Sequence, residues 1–537
     1  LYLQTCAAEK RRRRKRGKFP DPDKRVFINT DICEGCGDCG VQSNCVAISP
    51  VETELGRKRA IDQSACNKDF SCVKGFCPSF VTLKGAQIRK SETAQLDLPQ
   101  MPEPVLPNID RTFNVVITGV GGTGVVTIGA VLAQAAQIDG KGAGMMEMAG
   151  LAQKGGAVYI HCRLANRPED ITAIRVATGE CDALIGGDLV VSAAAKTLGL
   201  TKAGRTGAVV NAHNIVTGEF TRDTDFTIPT DRLSLALQAR LQDRVQLLDS
   251  TELARITMGD SIYSNMLIFG AAWQQGLLPI SLDALRQAIA LNGTAVDKNL
   301  RAFDIGRWSA LFPDEAAALI APTVVRLPQT LDEKIAIRTK HLRAYQGHQL
   351  SRRYARMLER TADPDLKLAL AKGYHKLLAY KDEYEVARLH LGTYAKASQT
   401  FEGPFEMTFH LAPPLLSKIG SDGRPQKRSF GPWMLGPLRA LSALRVLRGT
   451  ALDPFGYTAE RRMERALIAQ YEKDMAAILP AVTPDTHEIA VALAALPSDI
   501  RGFGPVKQAN KIKAGKRREE LLAGFHRGGG DLAQAAE

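Results

Sequence analysis

The stretch Phe113-Asn-Val-Val-Ile-Thr118-Gly119-Val-Gly121-Gly122-Thr123-Gly124, continued by Val125–Ile138, decides the fold of the middle of this chain. Phe113–Thr118 is apolar and rich in β-branched residues, the signature of a buried strand, and Val125–Ile138 reads as a helix. Strand, glycine loop and helix in this order meet the requirements of a dinucleotide fingerprint: a tight turn, close backbone approach and a helix N-terminus facing phosphate. Gly119, Gly121, Gly122, Thr123 and Gly124 are therefore the cofactor-binding candidates. Outward from this point, Ala157–Leu164, Asp182–Ile185, Gly207–Asn211 and Val245–Leu248 are strand-like, with helical stretches between them. That alternation predicts a doubly wound α/β domain over residues 113–325. The acidic residue expected about 20 positions beyond the loop has only Glu147 as a candidate, in a Met- and Gly-rich stretch. An NAD(P) site, a site for another phosphate-bearing ligand and a purely structural glycine turn all stay open. The paired glycines Gly155 and Gly156, just before a strand, suggest close approach to a ligand or another chain.

Upstream, seven of the ten cysteines fall between Cys33 and Cys77. One group reads Cys33-Glu-Gly-Cys36-Gly-Asp-Cys39, then Cys45; the other reads Cys66-Asn-Lys-Asp69-Phe-Ser-Cys72, then Cys77-Pro78. Two-cluster ferredoxins use C-x2-C-x2-C-x3-C-P twice, the fourth cysteine of each run serving the other cluster. The two-residue spacing lets one tight loop present three ligands to one face of a cubane, with Gly35, Gly37 and Gly40 free to adopt φ > 0. The expected ligands are Cys33, Cys36, Cys39 and Cys77 for one [4Fe–4S] cluster, and Cys45, Cys66 and Cys72 for the other, with Asp69 as a fourth ligand. Asp69 stands where the pattern has cysteine, and a harder oxygen ligand makes that iron more labile. Five residues before Cys45 and four before Cys77, instead of three, depart from the ferredoxin pattern. Paired zinc sites are the alternative, but the module contains no histidine. Cys6, Cys162 and Cys181 are isolated and expected to be free thiols.

The whole chain has 537 residues, 45% apolar and 24% charged, with a net charge of +13. These values exclude global disorder and a fibrous class, and no apolar run reaches the ~18 residues of a membrane span. No signal-peptide pattern is present, so a soluble, cytoplasmic protein is expected. The chain opens on Leu1 rather than Met, and Leu1–Gln4 reads as the tail of something earlier, a segment of a longer polypeptide. The first 25 residues carry ten Lys or Arg against three acids, with Lys10–Arg16 an unbroken basic run. A like-charge block of this kind reads as a solvated tail sooner than as a nucleic-acid arm.

The expected organisation is a basic tail (1–24), a ferredoxin-like Fe–S module (25–95), a Pro-rich linker (96–112), the α/β domain (113–325) and a mainly helical C-terminal domain (326–537). Residues 332–395 read mostly as helix with a break near Pro364. Leu366, Leu370, Leu377, Leu378, Val386 and Leu389 fall close to one apolar stripe. Lys372, His375, Lys381, Asp382 and Glu383 fit a solvated helix face better than acid–base equipment. Phe405–Leu411 is a candidate strand, helix resumes over Ala459–Ile478, and Gly515–Arg518 with Gly528–Gly530 suggest a frayed basic terminus. His213 and His410 read as satisfied histidines, and subunit packing is the default role of this domain.

In this order the two modules resemble the carboxy-terminal half of the fused indolepyruvate members of the 2-oxoacid:ferredoxin oxidoreductase family. The glycine loop with Glu147, Gly150 and Gln153-Lys154-Gly155-Gly156 resembles that family's gamma domain, with Lys154 where the family commonly has Arg. Cys33 to Pro78 resembles its ferredoxin-like domain, and Gly373-Tyr-His-Lys-Leu-Leu-Ala-Tyr-Lys-Asp-Glu-Tyr with Ile500-Arg-Gly-Phe-Gly-Pro-Val-Lys resembles the extra domain of its long fused members. The resemblance implies oxidative decarboxylation of an aryl 2-oxo acid such as indolepyruvate. Thiamine diphosphate is the cofactor, coenzyme A the acyl acceptor, and ferredoxin receives electrons through the clusters. The family's thiamine motif is absent from these residues. The resemblance therefore places thiamine diphosphate and Mg2+ in an N-terminal portion of the same polypeptide, and this chain is not expected to turn over alone. A homo-oligomer is expected. Two other readings remain: an NAD(P)-linked Fe–S reductase and a zinc-stabilised nucleic-acid-binding protein.

Overall fold

In the computed structural model the cysteine segment is framed by short strands, β1 (Lys24–Ile28), α1 (Asp38–Ser43), the hairpin β2 (Ile48–Val51) and β3 (Lys58–Ile61), and β4 (Phe80–Lys84). The structure describes residues 10–11, 13–14, 17–89, 96–149, 156–214, 223, 225–321, 330–413, 417–420 and 424–528. β1 and β4 pair antiparallel, from Lys24 opposite Lys84 to Ile28 opposite Phe80, so the ends of the segment lie side by side and its loops project from one frame.

The glycine stretch folds as the strand and helix its residues predict, β5 (Phe113–Val120) and α2 (Val125–Ile138). There follow β6 (Gly142–Ala149), β7 (Ala157–Ala165), β8 (Ala183–Gly186), β9 (Gly207–Asn211), α3 (Thr230–Leu241), β10 (Val245–Leu248), α4 (Ser250–Met258), α5 (Ser264–Gln274), α6 (Leu282–Leu291) and α7 (Val296–Leu311). The sheet order is β10-β9-β8-β5-β7-β6. Its first four strands run parallel, whereas β7 is antiparallel to both neighbours. The fold is mixed α/β with a parallel core. Both faces are covered, because successive residues of a strand point to opposite sides. Val115 and Ile117 pack with Ile128, Leu132, Leu267 and Phe303, while Val116 packs with Leu184, Leu237 and Leu241. Between α5 and α7, Gly270 lies against the Phe303 carbonyl and Gly306 against that of Leu267, an approach any Cβ would prevent. β6 has weak strand propensity, yet it pairs with β7 from Gly142 opposite Ala165 to Ala149 opposite Val158. Ladder pairing overrides propensity here. Residues 96–112 hold no helix or strand but are docked, with Gln274 donating to the Pro102 carbonyl at 2.9 Å.

The last third comprises α8 (Leu331–Gln346), α9 (His348–Leu358), α10 (Pro364–Leu378), α11 (Glu383–His390), α12 (Thr393–Thr400), β11 (Glu406–Leu411), β12 (Arg428–Phe430), α13 (Leu435–Ala443), α14 (Ala459–Ile478), α15 (His487–Ala495) and α16 (Gly504–His526). Gly347, with φ 88°, separates α8 from α9, and Asp363 caps α10 through the Leu366 amide at 2.7 Å. The expected single stripe divides. Leu366, Leu370, Leu377 and Leu378 join a helical core with Tyr471, Met475 and Leu493, whereas Val386 and Leu389 pack on the cysteine segment. Gly515–Arg518 lies inside α16 and is not frayed, because Ala514 and Leu521 of the same helix are buried.

The described residues divide into two compact units, one within 90–325 and the other from 10–89 together with 326–537. In the second unit β11 pairs with β4, giving a sheet ordered β1-β4-β11-β12. The cysteine segment and the C-terminal third thus share one sheet. Among the described residues no helix is long and apolar enough to cross a membrane.

Candidate functional site

Two loops carry the thiols, and they have the same backbone form. In the first, Gly35 and Gly37 have φ of 70° and 75°; at the matching positions of the second, Lys68 and Phe70 have φ of 53° and 62°. Left-handed backbone costs a non-glycine residue roughly 1–2 kcal/mol, so the second loop holds this shape against local preference. The result in both is an amide aimed at the first sulfur: Gly35 N–H on Cys33 Sγ and Lys68 N–H on Cys66 Sγ, each at 3.4 Å. Asp69 then occupies the position that Cys36 holds in the first loop. It is exposed, and its Oδ1 accepts from the Ser71 amide at 3.2 Å and hydroxyl at 3.0 Å.

The thiols lie in two neighbourhoods. Cys39 is within electrostatic range of Cys33, Cys36 and Cys77, and Cys72 is within range of Cys45, Cys66 and Asp69. Burial, followed by the nearby Cys77, pushes the Cys36 thiol up to about 12, and burial followed by Cys45 does the same for Cys72. Burial likewise raises Cys39 and Cys77, the latter with Ser79 Oγ at 2.9 Å from its sulfur. Buried neighbouring thiols ionise only where positive charge offsets the cost. A bound metal centre supplies such charge, and the sulfur-directed amides add to it, so the donor set fits an iron–sulfur group. Among the described residues no three or more His, Cys, Asp or Glu side chains converge on a point where a single metal ion would sit. Gly75 brings its chain against Cys39, where a Cβ would stand 2.8 Å from Cys39 Cα.

The surround of this site comes from the C-terminal third. Phe503, from the Ile500–Lys507 segment, joins Cys33, Cys39, Cys72, Cys77 and Phe80 in one apolar cluster. Lys381 donates to the carbonyls of Ile32 at 3.0 Å and Cys33 at 3.1 Å and pairs with Glu34, which also pairs with Lys376. Arg424 pairs with Asp38 at 3.1 Å, and Asp38 accepts from the Phe76 amide at 2.6 Å. His390 is 3.0 Å from the Pro78 carbonyl, and Asn29 donates to the Leu389 carbonyl at 3.1 Å. The solvated face expected around His375–Glu383 is therefore corrected: His375 and Asp382 are buried, with Asp382 held by Arg448. Polar residues on a helix register with water only if nothing packs over them, and here the cysteine segment and residues 448–464 do. His410 hydrogen-bonds Thr82 at 3.0 Å and His213 pairs with Asp249 at 3.1 Å, both satisfied as expected. The basic arm also contacts the site, as Arg14 donates to the Asn67 carbonyl at 2.6 Å beside Cys66.

In the α/β unit much of the glycine loop serves packing. A Cβ on Gly119 would stand 2.7 Å from Thr123 Oγ1, and one on Gly124 2.6 Å from Asn265 Nδ2. Asp188, unremarked by any spacing in the sequence, is buried and accepts from the Val120 amide at 2.6 Å and the Val191 amide at 2.8 Å, tying the loop to the next strand. Gly122, with φ 108°, faces open space. Glu147 is exposed on β6, the sheet's edge strand, and β7 separates that strand from β5. The neighbouring-strand position from which an acidic residue meets a ribose in a dinucleotide fold is not the one Glu147 holds. Gly150 and Gln153-Lys154-Gly155 lie outside the described residues, as does Cys6; Cys162 and Cys181 are buried free thiols.

Residues 114–308 match a family model described as pyruvate ferredoxin/flavodoxin oxidoreductase, and residues 331–520 match one described as a family of unknown function. The chain is 28% identical over 199 residues to an indolepyruvate oxidoreductase subunit IorB of Pyrococcus horikoshii, covering 36% of this chain and 95% of that one. It is 26% identical over 201 residues to the protein of the same name in Archaeoglobus fulgidus, covering 37% and 96%. A solved keto/oxoacid ferredoxin oxidoreductase gamma subunit from Geobacter sulfurreducens is similar at TM-score 0.27 and 22% identity, over 37% of this chain and 99% of that one. Residues 114–308 are thus similar to the pyruvate ferredoxin/flavodoxin oxidoreductase family, and the similarity to the two archaeal IorB subunits spans nearly their whole length.

Proposed function

We propose that this chain is the electron-relay and gamma portion of a cytoplasmic, thiamine-diphosphate-dependent 2-oxoacid:ferredoxin oxidoreductase acting on an aryl pyruvate such as indolepyruvate. A thiamine-diphosphate-binding N-terminal portion of the same polypeptide is its partner, and ferredoxin is its acceptor. In the overall reaction one 2-oxo acid, one coenzyme A and two oxidised ferredoxins give one acyl-coenzyme A, one CO2, one proton and two reduced ferredoxins. Bound [4Fe–4S] clusters supply the one-electron steps that link a two-electron oxidation to ferredoxin.

The observation that carries this reading is the pair of loops with matching positive-φ positions and sulfur-directed amides, around which the thiols fall into two groups. Cys33, Cys36, Cys39 and Cys77 hold one cluster; Cys45, Cys66 and Cys72 hold the other, with Asp69 as its fourth ligand. The apolar cluster of Phe80, Phe503 and Ile32 keeps water from the first group, and the Gly35 and Lys68 amides stabilise anionic sulfur. The gamma-type region, with Gly122 open to solvent in its glycine loop, forms part of the wall facing coenzyme A or the thiamine portion.

Iron and acid-labile sulfide per chain, measured on anaerobically purified protein with EPR after dithionite reduction, test the proposal. About eight of each, with coupled low-temperature signals, are expected for two cubanes. Zinc without sulfide would remove the electron-relay role. Aryl-pyruvate-dependent dye reduction by this chain alone, with thiamine diphosphate supplied, would refute the need for a partner portion.

A further inference from the structure

We infer that the C-terminal third, matched to a family of unknown function, is the second half of the cluster site: it places Lys427 between the two thiol groups and Lys381 at the first, and their charges set the cluster potentials. This rests on the iron–sulfur reading above and goes beyond it, since that reading draws its ligands from residues 33–77 alone.

The placement follows from the sheet. β12 pairs with β11 and β11 with β4, so the chain just ahead of Arg428 is laid against the cysteine segment. There the Lys427 ammonium donates to the Val73 carbonyl at 3.1 Å and lies over the Phe80 ring at 5.1 Å from its centroid. Val73 follows Cys72 of the second group, and Phe80 lies three residues beyond Cys77 of the first. Cys77, Cys39 and Cys72 are all within its electrostatic range. Lys381 comes from the turn between α10 and α11 and is anchored on the Ile32 and Cys33 carbonyls, at the first group only.

A cubane with four thiolate ligands is anionic in both redox states and gains a further negative charge on reduction. A nearby fixed cation in a low-dielectric surround favours the reduced form, and its loss lowers the potential. The second group, with fewer thiolates, shares Lys427 but not Lys381. The two lysines should therefore act differently: Lys427 on both clusters, Lys381 on the first.

The test is an EPR-monitored redox titration of the full chain, purified anaerobically, with iron and sulfide measured on every variant. Lys427→Met should make reduction of both clusters about tenfold less favourable, about 59 mV for a one-electron couple, and Lys427→Arg should restore wild-type potentials. Lys381→Met should shift the first cluster and leave the second in place. If Lys427→Met loads iron poorly, Lys381→Met decides by the same readout. Full iron with both potentials unmoved in either lysine variant would overturn the inference. A wild-type chain without iron or sulfide would instead overturn the reading beneath it.

Discussion

Replacing Arg448 with Met removes one partner of the most enclosed ion pair at the corner from which Lys381 reaches the cysteine segment. Arg448 and Asp382 are 3% and 2% exposed. The guanidinium donates through Nη2 to Asp382 Oδ1 at 2.8 Å and through Nε to Oδ2, and a third bond runs to the Tyr345 carbonyl at 3.0 Å. It also lies 3.7 Å from the centroid of the Tyr345 ring. Asp382 would keep only the α11 cap, in which it accepts from the Glu385 amide at 2.8 Å. Breaking a buried pair by removing one partner costs about 3–5 kcal/mol, because the remaining charge stays desolvated. Met fills most of the volume, so the loss is mainly electrostatic and about 4 kcal/mol is expected. Asparagine at 382 retains the capping oxygen without the charge, so Arg448→Met with Asp382→Asn should recover about 2 kcal/mol. Native-state hydrogen exchange at the amides of Glu383–His390 reads the opening free energy of this corner directly. A loss below about 1 kcal/mol, or a double variant no better than the single, would refute the argument that an unpaired buried carboxylate dominates the cost.

Asp69→Cys should slow conversion of the second cluster to a three-iron form under mild oxidation, followed by EPR, because a thiolate replaces a harder and more weakly held oxygen ligand. Equal iron loss in both versions would remove Asp69 from the ligand set. Burial acts to raise Glu385, but hydrogen bonds from Arg388 at 2.7 and 2.8 Å and from His341 prevail and hold it at about 2, against an ordinary 4.5. Its folded value is depressed, so the stability it contributes is present above pH 4.5 and lost as pH falls toward 2. At about 1.4 kcal/mol per unit the contribution is about 3 kcal/mol. The stability gap between wild type and Glu385→Gln in urea should therefore close as pH falls through that window, and a gap independent of pH would refute the assignment.

Much of this architecture was written locally. Val125–Ile138, Gly207–Asn211, Val245–Leu248 and Ala459–Ile478 are elements whose boundaries follow from apolar periodicity and turn residues within a few positions. The cysteine spacing likewise carries its chemistry along the chain, since each loop positions its own sulfur through its own backbone. β6 was illegible because a Met- and Gly-rich stretch becomes a strand only when β7 offers its edge. Asp188 was illegible because its role depends on the Val120 amide, 68 residues away.

The sequence by itself determined which residues are sulfur donors, which stretch forms the glycine loop and where most strands of the α/β sheet lie, because those depend on neighbours within a few residues. That β7 runs antiparallel to its neighbours was decided by pairing alone. Only the tertiary structure decided what surrounds the donors. Lys381, Lys427, His390 and Phe503 meet the cysteine segment across more than 300 positions, through β11 pairing on β4 and α11 packing on Pro78 and Asn29. Of these, Lys381 reads as solvent-facing along the chain because periodicity records which side of a helix is polar, not what covers it. Here the cover is another segment's carbonyls and thiols, and the polar face becomes the wall of the site.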